Sequence, residues 1–227
     1  MEEGLIPKEV NLPAERMQTA KGLGNIEQED RIIPRLKIMQ SNSPEVDEGI
    51  AKAGELVNSV SKKSYGKVIN FVPVMWWKSR IDWAPRDQGG EIICQARDAV
   101  TGSNFGPCAE CDYSKWVQKE PPICTAIINI LGLIGAEVVA ISFMKTSYTT
   151  GKQLINLFNY KRFDIFNFQY ELGTKQEENA LGKFQVLYFK NMNTPVDDTT
   201  YKICSAIYEN FAQMKEKVQP VDTTPGD

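Results

Sequence analysis

A mainly β fold with a few accompanying helices is what this sequence predicts, and three observations carry the prediction. Apolar and polar residues alternate with a period of two over several separate stretches, glycine-rich turns fall between them, and the period lengthens to that of a helix only twice. The 227 residues are 42% apolar and 24% charged, enough to bury a core in one domain. A barrel or small sandwich follows, rather than a parallel α/β sheet.

The elements follow in order. Residues 1–30 hold Pro7, Pro13, Gly22 and Gly24 among scattered acids with little periodicity, and are expected to form a flexible arm. A single domain is expected over residues 31–218, with residues 219–227 as a flexible tail. Leu36 and Ile38 take one face of a half-buried strand, Arg35 and Lys37 the other. Residues 41–54 read as loop and 55–60 as a short strand. Residues 67–83 give the longest β signal. Val68, Ile69, Phe71, Val72, Val74 and Met75 are apolar on both faces, after which Trp77, Ile81 and Trp83 alternate with Lys78, Arg80 and Asp82. Pro73 predicts a bulge or an edge in that strand.

Residues 126–131 and 138–143 flank Gly132 and Gly135 as a hairpin. Residues 147–160 then switch to helical spacing, with Thr149 or Thr150 as N-cap. Residues 166–172 and 184–189 alternate cleanly around a polar stretch, the pattern of a second hairpin with a long loop over 173–182. Last, Asp197 or Asp198 caps a helix over 199–218, whose stripe is Ile203, Cys204, Ile207, Tyr208, Phe211 and Met214.

Charge and composition narrow the function. Lys+Arg 26 against Asp+Glu 29 leaves a net charge of −3, distributed as −4 over residues 1–60, +4 over 61–170 and −3 over 171–227. The centre is mildly basic between acidic ends. The count of histidines is 0, which excludes Ser-His-Asp and Cys-His catalysis and every His-ligated catalytic metal. No run of about 18 apolar residues occurs and the first residues lack an export pattern, so neither membrane nor export is expected, and the cytoplasm is the expected location.

Cys94, Cys108, Cys111, Cys124 and Cys204 are the five cysteines. Cys108 and Cys111 form a CxxC after Gly106-Pro107, with Cys94 and Cys124 on either side of it. Two thiolates on one tight turn and two more from flanking segments suit a tetrahedral S4 zinc site, which would be structural because no position is left for water. The segment between Cys111 and Cys124 offers only Tyr113, Trp116 and Val117 as core, so something besides burial must order it. Free structural thiols, a disulfide and a redox pair are the alternatives. Cys204 lies on the apolar stripe of the last helix and reads as core.

Trp76, Trp77 and Trp83 fall close to Lys78, Arg80 and Arg86, a mixture that suits base stacking with phosphate contacts. Trp77 and Trp83 read as core; Trp76, which shares a face with Lys78 and Arg80, reads as the exposed ring. Tyr148 and Lys152 add to this set, as do Lys145, Lys161, Arg162, Phe163, Lys183, Phe184, Tyr188 and Lys190.

Ile33-Pro34-Arg35-Leu36-Lys37-Ile38 with Gln40 and Ser43-Pro44-Glu45, Phe71-Val72-Pro73-Val74 leading to Ile81-Asp82-Trp83, the Cys108 to Cys124 element, Lys145-Thr146-Ser147 to Gly151-Lys152, and Gly182-Lys183-Phe184 form one series. Together they resemble tailed-phage single-stranded-DNA-binding proteins of the OB-fold type. The resemblance implies an OB-like β-barrel with a C-terminal amphipathic helix and a small zinc-binding insertion over residues 91–124, broadly as in the T-even phage single-strand binder. It further implies structural Zn2+ on Cys94, Cys108, Cys111 and Cys124, and non-catalytic binding of single-stranded DNA through Trp76, Lys78, Arg80, Tyr148 and Lys152. The setting would be phage DNA replication or recombination in an infected bacterium, with replication or recombination proteins as further partners and the oligomeric state open. Two other classes compete. One is a protein-interaction module that binds or inhibits a host or phage protein; the other is a carboxylate nuclease using Asp82, Asp87 and Glu91.

Overall fold

In the computed structural model of the chain, residues 33–85, 88–180 and 182–213 are described. The expected arm and tail, the end of the last helix beyond Gln213, and Arg86 and Asp87 lie outside the described residues.

One strand organises the sheet. β3 (Val68–Trp83) is sixteen residues long because its apolar residues serve two faces, and it changes partner along its length. Its start, residues 68–71, pairs antiparallel with β9 (Phe168–Asn179), and from Val72 onward it pairs antiparallel with β7 (Thr125–Ile134). The register slips between Pro73 and Met75, where the expected bulge occurs: proline has no N–H for the ladder, and the extra residue bends the strand. Gly132 sits opposite that bend. A Cβ on it would fall 2.4 Å from both the Phe71 ring and the Val72 carbonyl, so the close approach requires glycine.

β7 turns through Gly135 into β8 (Glu137–Met144), and β8 pairs parallel with β1 (Arg35–Ile38), which pairs antiparallel with β2 (Leu56–Asn58). A one-turn helix, α1 (Pro44–Asp47), lies in the segment expected to be loop. On the other side, β9 pairs along its whole length with β10 (Gly182–Pro195). The long loop expected over 173–182 is therefore ladder. Its polar residues Thr174 to Asn179 alternate across a protruding two-stranded ribbon, where a wet strand needs no apolar face. β4 (Ile92–Ala96) pairs with the far end of β3.

The result is mainly β, an eight-stranded sheet in the order β10-β9-β3-β7-β8-β1-β2 with β4 beside β3, curled into a half-barrel. The open side is closed by side chains. Gln40 donates to the Gln185 carbonyl (3.0 Å) and accepts from its N–H (2.8 Å), while the Ser147 hydroxyl accepts from the Leu187 N–H at 3.1 Å. These bonds satisfy peptide groups that a free edge strand would leave open.

Two helices seal the sheet. α2 (Tyr148–Lys161) plugs the concave side with Leu154 and Phe158, which pack among Phe71, Ile128, Ile130, Ile141, Phe143 and Tyr170. Gly151 makes that fit close, since a Cβ would lie 2.8 Å from Phe143. The expected threonine cap is absent: α2 follows Ser147, whose hydroxyl is engaged by β10, and Thr150 Oγ1 donates to the Leu187 carbonyl at 3.2 Å. α3 (Asp198–Gln213) covers the convex side, with Cys204 fully buried against Val72, Val74 and Leu133. Asp197 caps it as expected, accepting from the N–H groups of Thr199 and Thr200 at 2.9 Å each. The buried stripe is narrower than the sequence implies, for Ile203 and Tyr208 are 48% and 45% exposed.

Candidate metal centre and nucleic-acid face

The cysteine insertion occupies the β3–β7 connection. β4 pairs with the end of β3 on the edge opposite β7, and a small hairpin of β5 (Thr101–Gly102) and β6 (Gly106–Pro107) leads into the CxxC. The turn is local chemistry. The N–H groups of Glu110 and Cys111 both return to the Pro107 carbonyl at 3.1 and 3.2 Å, and the Cys108 N–H reaches Val100 at 2.7 Å. The Ser114 hydroxyl then bonds the carbonyls of Cys108 and Cys111, and the Cys124 N–H donates to the Tyr113 carbonyl at 2.9 Å. Three separate segments are thus drawn to one place.

Cys94, Cys108, Cys111 and Cys124 all line a single small cavity there, with Asp82 beside them. Asp82 stands opposite Cys94 in the β3–β4 ladder and is 4% exposed. Burial raises its carboxyl above the ordinary carboxylate range. Gly102 leaves room for the Cys94 sulfur, from which a Cβ at that position would be 2.8 Å away. Burial pushes the Cys108 thiol up and the Cys124 thiol up to about 11; nearby Arg80 opposes this in both, and neighbouring thiols and acids reinforce it. All five cysteines are free thiols. Among the described residues no group of three or more His, Cys, Asp or Glu is gathered closely enough to hold a metal ion as it stands. The thiols share a cavity without meeting at one point.

The expected nucleic-acid residues divide between two neighbouring elements. Trp76, Lys78 and Arg80 lie on one face of β3, opposite Ile130, Ile128 and Ala126 of β7. Lys78 is exposed. Trp76 is half-buried against the main core, as Trp77 is against the second face, so the expected contrast between them is absent. Arg80 turns toward the insertion, its guanidinium donating to the Ser114 carbonyl at 3.4 Å. Tyr148 packs half-buried at the start of α2, with the exposed Lys152 ammonium 5.1 Å from its ring centre. Ile128 joins the two groups: Lys78 is its neighbour on β3, and Gly151, one residue before Lys152, packs over it.

The nuclease triad is not assembled among the described residues. Asp82 faces the cysteines, Glu91 is exposed, and Asp87 lies outside the described residues. Sequence reasoning missed the place of Asp82 beside the thiols, because only the β3–β4 register reveals it.

Fold and site define a class: a mainly β protein whose curled sheet carries a cysteine-lined insertion after its longest strand. The chain belongs to the Pam3 phage gp34-like protein family, whose model matches residues 6–217. That is a bacteriophage family. No curated protein and no solved structure matches the chain. Among the described residues no helix is long and apolar enough to cross a membrane.

Proposed function

We propose that the chain is a non-catalytic single-stranded-DNA-binding protein of phage replication or recombination, acting in the cytoplasm of the infected bacterium. In this reading it is an OB-like barrel with a zinc-organised insertion. Strand connectivity carries the reading. β3, β7, β8, β9 and β10 follow part of the OB order: a long bent first strand pairs with the second and the fourth, and a helix joins the third to the fourth, while the fifth pairs with the fourth and the third takes β1 as its parallel partner instead of the fifth. In such barrels ligands lie along the second and third strands between the first and last loops, here the cysteine insertion and the β9–β10 tip.

A fold alone assigns no ligand, so the side chains must. α3 covers Leu131 and Ala140 on the convex side, which favours the end nearer the insertion. There Lys78 and Lys152 offer phosphate contacts, and Trp76 and Tyr148 offer ring edges beside them. Arg80 links that face to the insertion. Zinc would be held by Cys94, Cys108, Cys111 and Cys124 as thiolates and would supply folding energy to a segment with little core. The Gly102 clearance and the shared cavity support such a group, around which the four thiols would have to draw together.

Titrating the intrinsic tryptophan fluorescence with oligo-dT, with duplex DNA as control, tests the binding. Quenching by the single strand that weakens with salt is expected; the Trp76→Ala variant should show less of it. Metal content of protein purified without chelator tests the insertion, with about one zinc per chain expected.

A second reading has its own observation. The insertion exposes Val100 (62%), Trp116 (67%), Val117 (58%) and Ile123 (65%), more apolar surface than a segment of this size needs. A protein-binding insertion would explain it, and would require that Trp116→Ala abolish capture of one stoichiometric protein from nuclease-treated lysate.

A further inference from the structure

Outside the insertion, the two most exposed aromatic rings among the described residues stand together at the end of α2: Tyr160 is 85% exposed and Phe163 66%. Lys161 and Arg162 lie between them. The Lys161 ammonium sits 3.8 Å from the centre of the Phe168 ring and donates to the side-chain carbonyls of Asn191 (3.1 Å) and Asn193 (3.5 Å). It therefore ties α2 to β10 at the point where the β10 register slips, between Asn191 and Thr194.

Arg162 (φ 54°) ends α2 in the left-handed conformation common where helices stop, and Asn193 (φ 52°), a residue that tolerates the same conformation, turns β10 beside it. Among the described residues neither Lys161 nor Arg162 has an ion-pair partner. Asp164, the nearest acid in sequence, instead accepts from the Tyr201 hydroxyl of α3 at 2.7 Å. Cations at a helix C-terminus are favoured by its dipole, but that does not account for two bare rings flanking them.

We infer that this is a second contact surface for single-stranded nucleic acid, with Tyr160 and Phe163 stacking unpaired bases and Arg162 meeting the backbone phosphate, while Lys161 holds the end of α2 against β10. The inference rests on the binding reading above and extends it beyond the face of Trp76 and Lys78.

The test is anisotropy of fluorescein-labelled oligo-dT with the full chain and three variants. Tyr160→Ala with Phe163→Ala should weaken binding between about five- and a hundredfold, the range expected when stacked rings are removed. Arg162→Gln should reduce the slope of log affinity against log salt by about 0.7. Phe163→Leu, which keeps apolar bulk against Phe168 but removes the ring, guards against a packing artefact and should also weaken binding. Ultraviolet crosslinking to the oligonucleotide should map to Tyr160 or Phe163. Unchanged affinity in the ring variants, with Lys78→Ala still weakened, overturns this surface and leaves the main reading standing. No binding by the unsubstituted protein overturns both.

Discussion

The barrel and the insertion solve the same problem by different means. The barrel removes its apolar surface from water, with Ile128, Ile130, Leu131 and Val139 at 0% exposure and the Phe158 and Tyr170 rings meeting edge to face at 5.6 Å. The insertion folds through turns and hydrogen bonds around four thiols, and leaves Trp116 and Ile123 about two-thirds exposed. The difference teaches that the barrel is held by burial, whereas the insertion has little buried core of its own and is held by local turns and hydrogen bonds.

The largest expected effect lies in the barrel. Gly132→Ala places a methyl group onto the Phe71 ring and the Val72 carbonyl, neither of which can retreat, and should cost about 3 kcal/mol. Ile128→Ala, which empties a fully buried site between β7 and α2, should cost about 3 kcal/mol as well. Urea unfolding measures both, and losses well under 1 kcal/mol would mean that the barrel is looser than described.

Next comes the insertion. Chelation, or Cys108→Ser with Cys111→Ser, should make the segment between Arg97 and Ile123 the first site of limited proteolysis, while the barrel transition moves by less than about 1 kcal/mol. A barrel that unfolds along with the insertion would erase the contrast.

Alkaline pH should distinguish the two regions in a third way. Burial pushes the Cys204 thiol up to about 11 and the Tyr170 hydroxyl up to about 12. Unfolded chains lose these protons first, near 9.0 and 10.0. The stability from keeping these groups neutral is therefore complete below pH 9 and is lost as pH rises through 9 to 12. Cys124, also held up to about 11, behaves the same way without metal. With zinc bound its sign reverses, because the metal favours the thiolate. In a thermal-melt series against pH, the barrel transition should fall above pH 9 with or without zinc, whereas added zinc should shift only the insertion.

The smallest effect concerns charge. Lys78→Ala and Lys152→Ala should each reduce the salt slope of oligo-dT binding by about 0.7 with little change in melting temperature. Equal loss of affinity at every salt concentration would point away from phosphate contacts.

Much of this organisation was legible in the residues. Period-two alternation located β3 and both hairpins, Pro73 located the bulge, and helical spacing located α2 and, with the Asp197 cap, α3 within a few residues. Polar strands were not legible: Thr174 to Asn179 read as loop because a two-sided wet ribbon has no apolar face to signal it. The CxxC spacing led to Cys94, Cys108, Cys111 and Cys124 as one set, and the four line one cavity without closing on a single point. The burial of Asp82 beside them was not legible, because it depends on the register of β3 against β4. Trp76 also could not be separated from Trp77, since α2 and α3 cover both faces of β3 and only tertiary packing says so.

Anisotropy of a labelled single-stranded oligonucleotide against protein concentration, at low and moderate salt beside a duplex of the same length, tests the central claim most directly. Saturable binding to the single strand, weaker at higher salt and weaker still to the duplex, is the expected result. A flat trace at micromolar protein with one zinc in place would contradict the nucleic-acid reading and turn attention to the exposed apolar surface of the insertion.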